Sequence, residues 1–194
     1  MSDTTATPSP SASSGLRGQS AGETALCTVG QTGSGLRYRG YDLEDLAAHA
    51  SFEEVAYLLL KGKLPNREEL DAYIARLKGL RGLPDALKAV LEQIPASAHP
   101  MDVMRTGCSM LGNLETEESF DEQSDQADRM LAVFPSIINY WYRFSHDGVR
   151  IDTETDDDSI GAHFLHLLHG EAPSDLHAAV MNTSLILYAE HEFN

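Results

Sequence analysis

A histidine flanked by two acids, Glu190-His191-Glu192, closes an ordered pattern of residues. Leu176, Val180, Ser184, Leu187 and His191 recur at steps of four, four, three and four, the spacing of one face of an α-helix. An imidazole at the end of a mostly apolar stripe feels two opposing influences. Burial disfavours its charged form and neighbouring carboxylates favour it. Such a group can polarise a carbonyl or move a proton; it can equally be a core histidine with its hydrogen bonds satisfied. The residues alone leave both open. Arg76 lies on a helix flank, about 100° from the centre of its apolar stripe. A surface arginine with its stem laid along apolar neighbours is the ordinary reading there.

Three other patterns suggest chemistry less well. His163, His166 and His169 are spaced three and three, whereas metal ligands on one helix want i and i+4. The rings fan around the helix and no cysteine or close acid completes a set, so packing and hydrogen bonding are expected and a metal is not. Asp156-Asp-Asp158 splays in three directions and lacks the glycine of a calcium loop, which predicts a solvated charge run at a helix N-terminus. Gly30 to Gly35 is glycine-rich without the lysine and following helix of a phosphate loop, so it reads as a hairpin turn.

The elements that would position these residues are mostly helical. A hairpin is predicted over 24–39, then a short helix from Asp42 to Ala50. Ser51 and Glu54 form a capping box for a helix from Phe52 to Lys61 ended by Gly62, and Asn66 caps the next. Pro84 opens a helix ending near Ile94, and Pro100 opens one from Met101 to Leu114. Residues 115–128, with seven acids, read as an exposed connection and helix start. A long helix then runs to Ser145-His-Asp-Gly148, with a kink expected at Pro135. Ile160 to His169 is helical with Gly170 as its cap, and Ser174 starts a last helix that reads on to Asn194. Nothing by Asn194 stops that helix, which predicts a fragment of a longer chain.

Bulk properties exclude whole classes. The net charge of −16 argues against nucleic acid, whose phosphates need clustered lysine and arginine. No apolar run approaches the roughly 20 residues of a membrane span, so no membrane partner is expected. Cys27 and Cys108 are too few for a disulfide framework. Residues 1–16 form a Ser/Thr/Ala/Pro-rich tail, expected to be disordered and lacking the features of a signal peptide. A cytoplasmic location is the simplest expectation.

Longer motifs are more specific. Tyr38-Arg-Gly-Tyr-Asp-Leu-Glu-Asp-Leu46, Ser97-Ala-His-Pro-Met-Asp-Val-Met-Arg-Thr-Gly107, the stretch from Thr155 to Gly170 and Leu187-Tyr-Ala-Glu-His-Glu-Phe-Asn194 resemble segments of the citrate synthase family. With Leu80-Arg-Gly-Leu-Pro84 the resemblance covers roughly residues 15 to 194, and the last two stretches resemble the bacterial 2-methylcitrate synthase branch. The resemblance implies an all-α fold, a citrate synthase-like multi-helical large domain with a small N-terminal β-hairpin, truncated. Residues 17–194 would be the N-terminal part of that domain, incomplete.

The implied reaction is a condensation of propionyl-CoA with oxaloacetate and water, giving 2-methylcitrate and CoA, by a homodimer acting in propionate breakdown. No cofactor is implied, since the CoA thioester is a substrate. On the same resemblance His191 matches the histidine that grips oxaloacetate, and Arg76 a basic position associated with substrate binding. Tyr188 would face the same pocket, and no catalytic role falls to His163, His166 or His169. The family's G-P-x-H-G-G-A-N and G-F-G-H histidines, its catalytic aspartate and its carboxylate-binding arginines have no counterpart here, so no catalytic residue is assigned in this chain. Two rivals stand beside this reading: a citrate synthase using acetyl-CoA, and an inactive truncated chain with only an interaction role. In a fragment, the Val180/Ser184/Leu187 face is expected to be exposed.

Overall fold

The computed structural model describes residues 22–29 and 35–191. The expectations for the tail at 1–16 and for the turn at 30–34 lie outside them. Three two-residue strands, β1 (Cys27–Thr28), β2 (Arg37–Tyr38) and β3 (Tyr41–Asp42), form an antiparallel sheet in that order. The third strand is additional to the predicted hairpin. It forms because Arg39 and Gly40 both take positive φ, +45° and +90°, as a tight two-residue hairpin turn demands.

Eight helices follow among the described residues: α1 (Leu43–His49), α2 (Phe52–Lys61), α3 (Arg67–Gly79), α4 (Asp85–Leu91), α5 (Pro100–Leu114), α6 (Gln123–Asp147), α7 (Ile160–His169) and α8 (Asp175–Leu187). A single 3₁₀ turn at Phe120–Glu122 leads into α6. The architecture is all-α with one small β element, as the sequence predicts.

The boundaries show why the pattern was legible. Ser51 with Glu54, and Asn66 with Glu69, form complete capping boxes that satisfy the first free amides of α2 and α3. Gly62, Gly148 and Gly170 end α2, α6 and α7 in the left-handed conformation that costs glycine least. α4 stops at Leu91, short of Ile94, because the chain tightens into turns in which Gln93 and Ile94 donate to Val90 and Leu91. α6 runs through Pro135, and the Asn139 side chain donates to the Pro135 carbonyl at 2.9 Å.

Two apolar clusters hold these helices. One joins the sheet, α1, α2 and α3 to Ile160 of α7 and Ile186 of α8. The other joins α4, α5 and α6 around Trp141, whose indole N–H donates to the Ile94 carbonyl at 3.2 Å. No described helix is long and apolar enough to cross a membrane.

Candidate functional site

The C-terminal end of α8 carries the first candidate. Asn182 locks this helix to the joint between α1 and α2: its Oδ1 accepts the Phe52 amide at 2.7 Å, and its Nδ2 donates to the Ala50 carbonyl at 3.3 Å. Gly161 of α7 lies so close that a Cβ there would sit 3.0 Å from Met181 Cγ. The anchored face of α8 is therefore that of Met181, Asn182, Leu185 and Ile186. The opposite stripe is open, with Leu176 70%, Val180 61% and Leu187 46% exposed. The stripe has Val180 and Leu187 exposed as the sequence reading expects, while Ser184 between them is half-buried. A groove of about 900 Å³ runs along it, between Leu165 and His169 of α7 and His177, Val180 and Ser184 of α8.

The helix does not run on to Asn194. It ends at Leu187, with Tyr188 as its C-cap at φ −108° and ψ 9°. The fully buried Tyr38 lies beneath this end, and its hydroxyl donates to the Leu187 carbonyl at 3.4 Å. Burial raises the Tyr38 pKa, and the Glu190 backbone amide, bonded to the phenol oxygen, works against that rise. His191 stands exposed and outside the helix, and Tyr188 is 81% exposed. The expectation of a histidine on a buried helical stripe is corrected on both counts. The chain leaves the helix where the Tyr188 amide reaches the Ser184 and Ile186 carbonyls and the Ala189 amide closes a short turn onto Ile186 at 3.2 Å.

Arg76, the second candidate, lies near the end of α3 and faces α6. Its Nε donates to Asp128 at 3.0 Å and its Nη2 to Asp125 at 2.7 Å. Asp128 is buried, which corrects the exposed reading of 115–128 at that residue. It is ligated by Arg76, by Lys61 at 3.3 Å and by the Tyr73 hydroxyl at 3.1 Å. Burial, followed by the neighbouring Asp128 charge, drives the Tyr73 phenol far above its ordinary pKa. Asp128 stands four residues before the buried Ala132, so the helical phase of α6 was the signal that marked it.

The third set is sealed beneath the start of α7. His163, fully buried, meets Thr155 Oγ1 through Nδ1 at 3.0 Å and Ser136 Oγ through Nε2 at 3.2 Å. Burial, reinforced by the charge on Arg81, pushes its pKa down to about 3, so the ring is neutral near pH 7. Arg81 is itself buried and donates through Nη1 to the carbonyls of Thr155 and Asp157, at 2.9 and 2.7 Å. Glu53, buried on α2, accepts the Ile160 amide at 2.8 Å; burial raises its pKa. His166 pairs with Asp157 at 2.7 Å. Asp157 is thus a structural acceptor, whereas the run 156–158 was expected to be solvated as a whole; Asp156 and Asp158 are exposed. Sequence reasoning missed Glu53 and Arg81, since nothing local distinguishes them from surface charges.

Arg76 and His191 are not brought together: among the described residues no hydrogen bond or ion pair joins them, and Arg76 is engaged by α6. At the α8 end the His191 imidazole is accessible. On α7, His163 has both ring nitrogens occupied and His166 is held by Asp157, while His169 is exposed beside the groove.

Comparison with known proteins adds a family. A family model described as "Citrate synthase, C-terminal domain" matches residues 15–194. A 2-methylcitrate synthase of Shewanella oneidensis is 78% identical over 180 residues, covering 93% of this chain and 48% of the relative. One from Mycobacterium tuberculosis is 36% identical over 187 residues, covering 95% of this chain and 47% of the relative. A citrate synthase from Thermoplasma acidophilum, solved in a ternary complex with carboxymethyl coenzyme A and oxaloacetate, superposes with a TM-score of 0.82 at 29% identity, over 93% of this chain and 48% of its own. The chain spans about half the length of the curated relatives it matches.

Proposed function

This chain belongs to the citrate synthase family, and on that premise we propose that it is the N-terminal part of an acyltransferase condensing propionyl-CoA with oxaloacetate. In this reaction the α C–H bond of the thioester breaks with loss of its proton, the α-carbon bonds to the keto carbon of oxaloacetate, the keto oxygen takes up a proton to become a hydroxyl, and water cleaves the thioester to release 2-methylcitrate and CoA. The observation that carries the reading is the 78% identity to a 2-methylcitrate synthase over 180 residues.

His191 is proposed as the oxaloacetate contact. Its imidazole is exposed at the end of a helix fixed at Asn182 and Tyr38, so an N–H can be offered to the keto acid in a set direction. Arg76 is proposed as a second substrate contact. Its outer ion pair, with a 71% exposed Asp125 side chain, is water-accessible and weak, so an anionic group can replace it. No cofactor is proposed, CoA entering as substrate. A homodimer and a cytoplasmic site of action in propionate breakdown complete the reading.

The test is turnover of the full-length protein with each acyl-CoA and oxaloacetate. A higher kcat/KM with propionyl-CoA is expected. Equal or better use of acetyl-CoA overturns the reading in favour of a citrate synthase, the activity named for the Thermoplasma acidophilum neighbour.

A further inference from the structure

The motif Tyr38-Arg39 is not used by the proposed chemistry, yet its two side chains each end on a carbonyl near the C-terminus of a different helix. Arg39 donates through Nε and Nη2 to the Leu59 carbonyl of α2, at 3.1 and 2.8 Å. Tyr38 donates to the Leu187 carbonyl of α8 at 3.4 Å. Such carbonyls have no partner within their own helix and need one from elsewhere.

The Tyr38 bond also decides between two conformations. In a continued α-helix the Leu187 carbonyl would accept the His191 amide, and the Ile186 carbonyl would accept the Glu190 amide. Instead the Leu187 carbonyl takes the Tyr38 hydroxyl, the Ile186 carbonyl takes the Ala189 amide at 3.2 Å, and the Glu190 amide goes to the phenol oxygen. The stripe of Ser184, Leu187 and His191 shows that the sequence would otherwise suit a longer helix.

We propose that Tyr38 is a positioning residue for His191: its hydroxyl takes the place of the helix's own next bonds, turns the chain out after Leu187 and sets where the imidazole is presented. Resting on the reading of His191 as an oxaloacetate contact, this makes oxaloacetate affinity depend on the N-terminal sheet.

The experiment uses the full-length protein with Tyr38→Phe, which removes one oxygen and keeps the ring. The KM for oxaloacetate should rise about three- to tenfold, the change that losing one hydrogen bond gives in an equilibrium. The KM for the acyl-CoA should stay put, and the ¹³Cα shifts of Tyr188 to His191 should move towards helical values. Arg39→Met, which frees the Leu59 carbonyl from the same hairpin, should lower Tm while leaving the oxaloacetate KM alone.

Unchanged shifts in Tyr38→Phe overturn the proposal, as does an Arg39→Met variant that raises the oxaloacetate KM equally. Should Tyr38→Phe not fold, amide exchange in the unsubstituted protein decides. Protection at Glu190 with fast exchange at His191 is expected of the tether, and protection at both marks a continued helix and overturns it. His191→Ala isolates the underlying reading: if it leaves the oxaloacetate KM unchanged that reading fails, while the shifts at 188–191 still judge Tyr38.

Discussion

The two ends of the α7–α8 pair treat histidine in opposite ways. At the start of α7, His163 is surrounded by Thr155, Ser136 and the buried Arg81, and both ring nitrogens are occupied. Beyond α8, His191 is exposed. The first ring is neutral near pH 7 and held from both sides; the second is open to solvent. The difference comes from what surrounds each ring, since both lie in stretches of sequence resembling the same family. A buried polar group must be satisfied internally, and that satisfaction withdraws it from chemistry.

Breaking the sealed end should have the largest effect. Arg81→Ala leaves the carbonyls of Thr155 and Asp157 and the buried Glu53 without their cation, and is expected to cost about 3–5 kcal/mol in urea unfolding. A graded effect follows from pH. The folded His163 has its pKa held down at about 3, below its unfolded value, so the unfolded chain binds the proton more readily. Its contribution is therefore complete above about pH 6.5 and is lost as pH falls towards 3, at up to about 1.4 kcal/mol per unit. The raised pKa of Glu53 has the opposite sign, favouring the fold as pH falls through its folded value, so the two partly offset each other. Tm measured against pH in the parent and in His163→Gln separates them: the variant should show a shallower acid-side slope.

Asp128→Asn sharpens the contrast with Arg76. Lys61 and Arg76 lose a buried counter-charge, and a loss of about 1–3 kcal/mol is expected by the same urea measurement. At the open end, His191→Ala should leave Tm unchanged while raising the oxaloacetate KM of the full-length protein. A stability loss at His191 comparable to that at Arg81 would erase the distinction between the two ends.

Much of the fold was legible because its signals are local. Ser51 with Glu54, Asn66, Gly62, Gly148 and Gly170 act within one helical turn of themselves, so their types and spacing are sufficient. The site was only half legible. The resemblance picked out His191 and Arg76 as residues, while their surroundings depend on partners far away in the chain. Asp128 was read as exposed because its acidic neighbours are; its helical phase with Ala132 hinted otherwise, and the docking of Tyr73, Lys61 and Arg76 upon it supplies its partners.

The sequence by itself determined the helices, their caps and the family to which the chain belongs, since each is written in residues close together or in contiguous motifs. Tertiary structure alone decided where α8 ends and which histidine is sealed. Both outcomes turn on groups such as Tyr38 and Arg81, which reach across the fold to take up carbonyls that a helix or loop cannot satisfy for itself.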